Sequence, residues 1–360
     1  MKKLELLEGL RGYMAIWVFF THGLTLGGFN FEKNKGIGKL LVNGDYAVTV
    51  FIILSGFVIS ILLEKQEHFT QYIKRRAFRL FPIYIVALIV SVLTLDFTKE
   101  TLQAIPWVTS KNLGRLVLID QGKEYFNISF ISHLVLLHGL LPNQIIPTTY
   151  TLMGQAWSLT LEWQFYLLAP FLHKLIKLKF SPKTSIVYTF LIISAIVLSK
   201  MYMPQKSFLP NMLYCFAIGY FTCVFYRQYI KKENLFLFPF LLLILLLEIN
   251  DTLLSAVPVA IWLIVIYFQS TGQKIGNFIF GNKLILSIGK VSYSFYCIHF
   301  FVLIFVSHFL IRIIHVENLI VYGISLNVIG LLITTLLSQL TYAFIELPFM
   351  NYARKNSQLK

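Results

Sequence analysis

Apolar residues in this chain come in long runs separated by short polar gaps, and a membrane-spanning helix needs about 20 mostly apolar residues. Runs of that kind fall near 7–26, 45–63, 80–97, 152–172, 185–203, 208–226, 234–249, 253–270, 291–311 and 319–345. The pattern predicts an all-α polytopic membrane protein with about ten transmembrane helices. Ser158, Glu162 and Gln164 interrupt the fourth run, and only Asn250, Asp251 and Thr252 separate the seventh from the eighth. The one long gap, 98–151, carries an apolar patch at 130–141 too short to span. It predicts an outward-facing cap with a short interfacial or re-entrant helix. No tandem repeat or low-complexity tract is visible.

Composition supports this class. Hydrophobic residues make up 57% of the 360 and charged residues only 13%, against about 25% charged in soluble domains. Thirty-three Phe and 19 Tyr exclude a disordered chain. The net charge of +15 would suggest nucleic-acid binding in a soluble domain. Here the basic residues occupy the gaps between runs: 20 of the 31 Lys and Arg lie on the side of the N-terminus, 10 on the other, and Arg11 within the first run. The positive-inside rule then puts both termini in the cytoplasm of a multi-pass inner-membrane protein. Its partners include membrane lipids and no nucleic acid. Cys215, Cys223 and Cys297 lie in apolar runs and read as small buried hydrophobes. No residues have metal-ligand spacing, so no metal is expected.

Polar side chains inside a span are costly and usually face the bundle interior or a water-filled cavity. In EGLRGYMAIWVFFTH, Arg11, Ala15, Val18 and His22 fall on one helical stripe. That stripe sets a cation about 16 Å from an imidazole. In QYIKRRAFRLFPIY, Arg75, Arg76 and Arg79 converge at helical spacing, with Pro82 read as lying early in the helix. Guanidinium forks suit phosphate oxygens, although a juxtamembrane cluster also serves as a headgroup anchor. In QAWSLTLEWQFY, Ser158, Glu162 and Tyr166 share a face beside Trp157 and Trp163. A carboxylate there is an acid/base or orienting group, or a structural hydrogen-bond partner. In GKVSYSFYCIHF, Ser292, Tyr296 and His299 form a further stripe. The remaining histidines, His133 and His138 among them, read as core or surface residues.

These stretches, with VFIILSGF and FIELPF, run in order from residue 8 to residue 349. Together they resemble the membrane-bound acyltransferase-3 family, which includes bacterial O-antigen, capsule and exopolysaccharide O-acetyltransferases. The resemblance implies about ten spans and transfer of an acyl group, acetyl above all, from cytoplasmic acyl-CoA to a hydroxyl of a cell-surface or lipid-linked glycan. Acetyl-CoA is then the donor substrate. It implies His22 as catalytic base, with Glu162 and Tyr293 as orienting groups. Arg11, Arg75, Arg76 and Arg79 are implied at the CoA phosphates, and Asp45, Trp157, Ser158 and Ser292 at the substrate. Glu346 and Pro348 match the family's closing motif. Thr49 stands where many members carry an acid, so Asp45 is the nearest candidate acid partner for His22. Residues 1–350 are expected to form one integral-membrane domain, with 351–360 as a short cytoplasmic tail and no appended soluble domain. The rival classes are transfer of another acyl group such as succinyl, a transporter of glycan precursors, and a scaffold.

Overall fold

The computed structural model describes residues 4–29, 41–65, 67–177, 196–228, 257–272 and 274–358, with Gly38, Val187, Leu191 and Ser194. Among these residues all regular structure is helical. Among the described residues, five helices are long and apolar enough to cross a membrane: Gly44–Leu63, Phe69–Leu93, Leu209–Tyr226, Ser292–Ile313 and Leu319–Lys355. The expected span at 234–249 lies outside the described residues, as does part of the first half of that at 185–203.

In chain order the helices are α1 (Glu5–Leu26), α2 (Gly44–Leu63), α3 (Phe69–Leu93), α4 (Leu95–Ala104), α5 (Ser110–Glu124) and α6 (Phe126–Leu134). They continue with α7 (Trp157–Lys177), α8 (Leu209–Gln228), α9 (Val257–Thr271), α10 (Lys274–Phe280), α11 (Lys283–Lys290), α12 (Ser292–His308), α13 (Leu319–Thr341) and α14 (Leu347–Gln358). Two π-helical turns, Phe309–Ile313 and Tyr342–Glu346, extend α12 and join α13 to α14.

α1 is the hub, packing on α2, α9, α10, α11, α12 and α13. The first motif's glycines explain how: a Cβ on Gly9 or Gly12 would fall 1.9 Å from the Phe280 carbonyl oxygen or 2.4 Å from that of Ile285. Two backbones therefore pass close on one side of α1 while Arg11 and His22 project elsewhere. The α2–α8 crossing is equally close, Gly219 facing Ile53 and Gly56 facing Phe216. Small residues of this kind let helices approach where lipid offers no hydrophobic drive to associate.

Two expectations change. The third helix begins at Phe69 rather than at 80, so Pro82 is interior. Its missing N–H leaves the Phe78 carbonyl without a helical donor. The 98–151 segment is mostly helical, built from the end of α4 with α5, α6 and a 3₁₀ turn at His138–Leu140. Thr109 caps α5 by accepting from Asn112 N at 3.2 Å, and its hydroxyl donates to the Thr25 carbonyl at 3.3 Å. Lys111 donates to the Val42 carbonyl at 3.0 Å. These bonds hold α5 across the end of α1.

Candidate functional site

Two cavities meet inside the bundle. The larger, 490 Å³, is lined by His22, Asp45, Lys111, Arg115, Tyr150 and Trp157 among others. The smaller, 120 Å³, is lined by Arg11, Arg76, Arg79, Ser158, Glu162 and Tyr293 among others. Val48 and Tyr296 line both, and so form the partition between them. Tyr296 is fixed there: its hydroxyl donates to the Gln155 carbonyl at 2.6 Å and shares a 2.8 Å hydrogen bond with Ser158 Oγ.

In the His22 cavity, Nδ1 of His22 lies 3.0 Å from a terminal nitrogen of Arg115. Arg115 reaches in from α5, donates to Asn112 Oδ1 at 2.6 Å, and stacks its guanidinium 5.0 Å from the Phe300 ring centroid. Withdrawal from water pulls Arg115 down to about 10, which leaves it cationic at neutral pH. The His299 ring stands 5.2 Å from that of His22. Its Nδ1 donates to the Tyr296 carbonyl at 2.8 Å, and its Nε2 is buried with no partner. Asp45 does not reach His22; it pairs with Lys206 at 2.6 Å on the exposed rim.

In the arginine cavity, Glu162 accepts from Ser55 Oγ at 3.0 Å and from the Tyr166 hydroxyl. Arg79 is paired with the fully buried Glu346, which also accepts from Ser294 Oγ at 2.7 Å. Glu346 sits in the π-helical turn between α13 and α14, the kind of local distortion that often marks function. Arg11 Nε, Arg76 Nε and Ser292 Oγ are buried without hydrogen-bond partners. Neither Arg11 nor Arg76 makes an ion pair among the described residues. With Arg79 paired to Glu346 and Glu162 on the same wall, Arg11 and Arg76 leave the cavity with an excess of one positive charge toward whatever enters it.

A family model described as an acyltransferase domain, Acyl_transf_3, matches residues 4–343. The chain belongs to the acyltransferase-3 family. Among relatives of this acyltransferase-3 chain, O-acetyltransferase OatA of Staphylococcus aureus is 24% identical over 388 residues, covering 95% of this chain and 56% of that protein. Acyltransferase MdmB of Streptomyces mycarofaciens is 26% identical over 180 residues, covering 49% of this chain and 40% of that protein. The chain therefore spans about half the length of these relatives or less. No solved structure matches it.

The residues expected at one acyltransferase-3 site are divided between the two cavities. His22, Asp45 and Trp157 line one; Arg11, Arg76, Arg79, Glu162, Ser158, Ser292 and Tyr293 line the other. Arg75 lines neither and is paired with Glu67. The Tyr293 hydroxyl is engaged by the Leu80 carbonyl at 2.7 Å, which fits it to hold α12 against α3. From the sequence, Arg115 reads with Lys111 and Lys123 as a cation of the 98–151 segment available to an anionic or hydroxyl-rich acceptor, with no sign of its contact with His22. Its position three residues after Asn112, on a segment with helical spacing, is the signal that points it inward.

Proposed function

We propose that this protein is a membrane O-acyltransferase that takes an acetyl group from cytoplasmic acetyl-CoA and delivers it to a hydroxyl of a cell-surface or lipid-linked glycan. The observation that carries this reading is the pair of cavities sharing the Val48–Tyr296 partition. One offers unpaired guanidinium groups, which suit an anionic donor, and the other holds an imidazole beside space for an acceptor.

A 120 Å³ cavity is too small for a whole CoA. On this reading Arg11 and Arg76 hold the diphosphate, the nucleotide stays outside, and the pantetheine arm passes Tyr296 toward His22. The two ends of α1 serve two parts of one extended donor. The acceptor hydroxyl gives its proton to His22 as its oxygen bonds to the thioester carbon. The C–S bond breaks, and the proton passes on to the departing CoA sulfur. His299, whose Nε2 lacks a partner beside His22, occupies the place that the absent acid partner leaves open. Both termini are on the donor side, and α5 and α6 cover the acceptor side.

Purified protein in lipid vesicles, given acetyl-CoA labelled in the acetyl group, tests the reaction class. Comparing O-acetyl content of surface glycans from cells with and without the gene tests the acceptor. The reading expects label in the glycan fraction, abolished by His22→Ala. Wild-type protein that neither transfers nor hydrolyses acetyl-CoA overturns it.

A further inference from the structure

His22 has an unusual partner for a base. An arginine at neutral pH only donates hydrogen bonds, so at 3.0 Å the His22 Nδ1 is the acceptor. In the neutral ring the proton is then on Nε2. Nδ1, the one nitrogen able to take a proton, is occupied, and Nε2 already carries one. A carboxylate in this place would instead leave the second nitrogen open to a substrate. The contact is built rather than incidental. The Thr109 cap fixes the start of α5, Asn112 Oδ1 holds the guanidinium at 2.6 Å, Phe300 covers it, and Thr25 Oγ1 lies 3.4 Å away.

Building on the acyl-transfer reading above, we propose that Arg115 caps the basic nitrogen of His22 in the resting protein and is displaced by the acceptor. The cap withholds the base from water. While it is in place water cannot be deprotonated for attack on the thioester, a step that would form a C–O bond, break the C–S bond, and release acetate and the CoA thiol. An acceptor uncaps His22 by giving the half-buried guanidinium other oxygens to donate to. A saccharide with a carboxylate or vicinal hydroxyls beside the acylated hydroxyl has that chemistry, whereas a single water does not. Arg115 is thus a positioning residue that couples acceptor binding to the availability of the base.

The test compares Arg115→Met, which keeps bulk and loses all donors, with Arg115→Lys, which keeps a cationic donor. Acetyl-CoA is supplied to the full-length protein in detergent, with water the only acceptor. Arg115→Met is expected to hydrolyse acetyl-CoA at least about tenfold faster than wild type, since a freed general base is worth about 10²–10⁴ in rate. Arg115→Lys should stay within about threefold of wild type, because a donor remains to occupy Nδ1.

A second readout does not depend on turnover. Diethyl pyrocarbonate attacks an unprotonated imidazole nitrogen, and mass spectrometry of the His22 peptide follows it. Carbethoxylation at pH 8 should be slow in wild type and Arg115→Lys, and faster in Arg115→Met. Asn112→Ala, which loosens the guanidinium without removing it, gives the same direction if Arg115→Met fails to fold. Equal modification rates across the folded variants, or hydrolysis unchanged or lower in Arg115→Met, overturn the cap. Wild-type protein inert toward acetyl-CoA under every condition overturns the acyl-transfer reading instead, and the modification rates still decide whether the cap exists.

Discussion

The four arginines that the sequence groups together are predicted to behave in three different ways when each is replaced by alanine. Arg11 and Arg76 face the cavity with no ion pair among the described residues and a buried, unpartnered Nε each. On the proposed reading each truncation removes a charge-assisted contact to the donor, worth about 1.5–3 kcal/mol, so the Kd for acetyl-CoA should rise roughly 10- to 150-fold. Stability should change little, since no buried partner is stranded. Arg75 lies outside the cavity in a partly exposed pair with Glu67. Its loss should cost less than about 1 kcal/mol of stability and leave donor binding unchanged. Arg79 is the third kind. Glu346 is only 1% exposed, and Arg79→Ala strands its carboxylate in the bundle. Breaking a buried pair in this way costs about 3–5 kcal/mol. The double change Arg79→Met with Glu346→Leu removes both charges and should recover most of that loss. Calorimetric titration of acetyl-CoA into purified variants, paired with thermal unfolding, separates the three classes. The reasoning fails if Arg75→Ala weakens donor binding as much as Arg76→Ala, or if Arg79→Ala unfolds at the wild-type temperature.

Further outcomes follow from the same geometry. His22→Ala should abolish transfer while acetyl-CoA binding stays near wild type, because the imidazole and the unpaired arginines line different cavities; titration and a transfer assay on one preparation check it. Gly219→Ala would put a Cβ 1.8 Å from the Ile53 carbonyl oxygen at the α2–α8 crossing. The forced separation should cost about 1–3 kcal/mol or more, read as a lowered unfolding temperature. In the cap, His133 is fully buried and stacked on His138 at 3.8 Å between centroids, and burial holds it down to about 4. The unfolded state, with a histidine near 6.5, binds more protons in this range, so stability should fall as pH drops from about 6.5 toward 4. Unfolding temperature against pH should show that slope, and His133→Phe should make it shallower, the rest coming from the equally buried His138, which burial also holds down. Gly114 is exposed on α5 with nothing within 4 Å of an added Cβ. A cysteine there should react with a membrane-impermeant thiol reagent in intact cells, whereas Lys177→Cys should not; the reverse pattern would invert the orientation.

The sequence made some parts of this architecture legible and hid others for identifiable reasons. The bounds of α2 and α8 follow from unbroken apolar runs, and α1 from the stripe that carries Arg11 and His22. The first turns of α3 were hidden because Arg75, Arg76 and Arg79 depress hydropathy without disturbing helical geometry. The helices α5, α6, α10 and α11 are short and partly polar, so a search for runs long enough to span passes over them. Residues joined by periodicity along one helix, such as Ser292, Tyr296 and His299, could be read directly. The contact between His22 and Arg115 spans 93 positions and two elements, and no local pattern encodes it. The same holds for Arg79 and Glu346, 267 positions apart. The division of the expected site residues between two cavities depends on where Val48 and Tyr296 sit, which is a property of packing alone.

That Val48 and Tyr296 line both cavities bears on the electrical work of the proposed reaction. If water fills both cavities, the transmembrane voltage falls mainly across the side chains between them, instead of over the full hydrocarbon thickness. Carrying a unit charge through such a layer involves about 2.3 kcal/mol for every 100 mV, whereas a neutral acetyl group passes without electrical cost. On the proposed reading, phosphates held by Arg11 and Arg76 would stay on one side of the voltage drop throughout. If the acceptor is a glycan on the far side, as proposed, it would be modified with no ion crossing and no draw on the membrane's stored gradient.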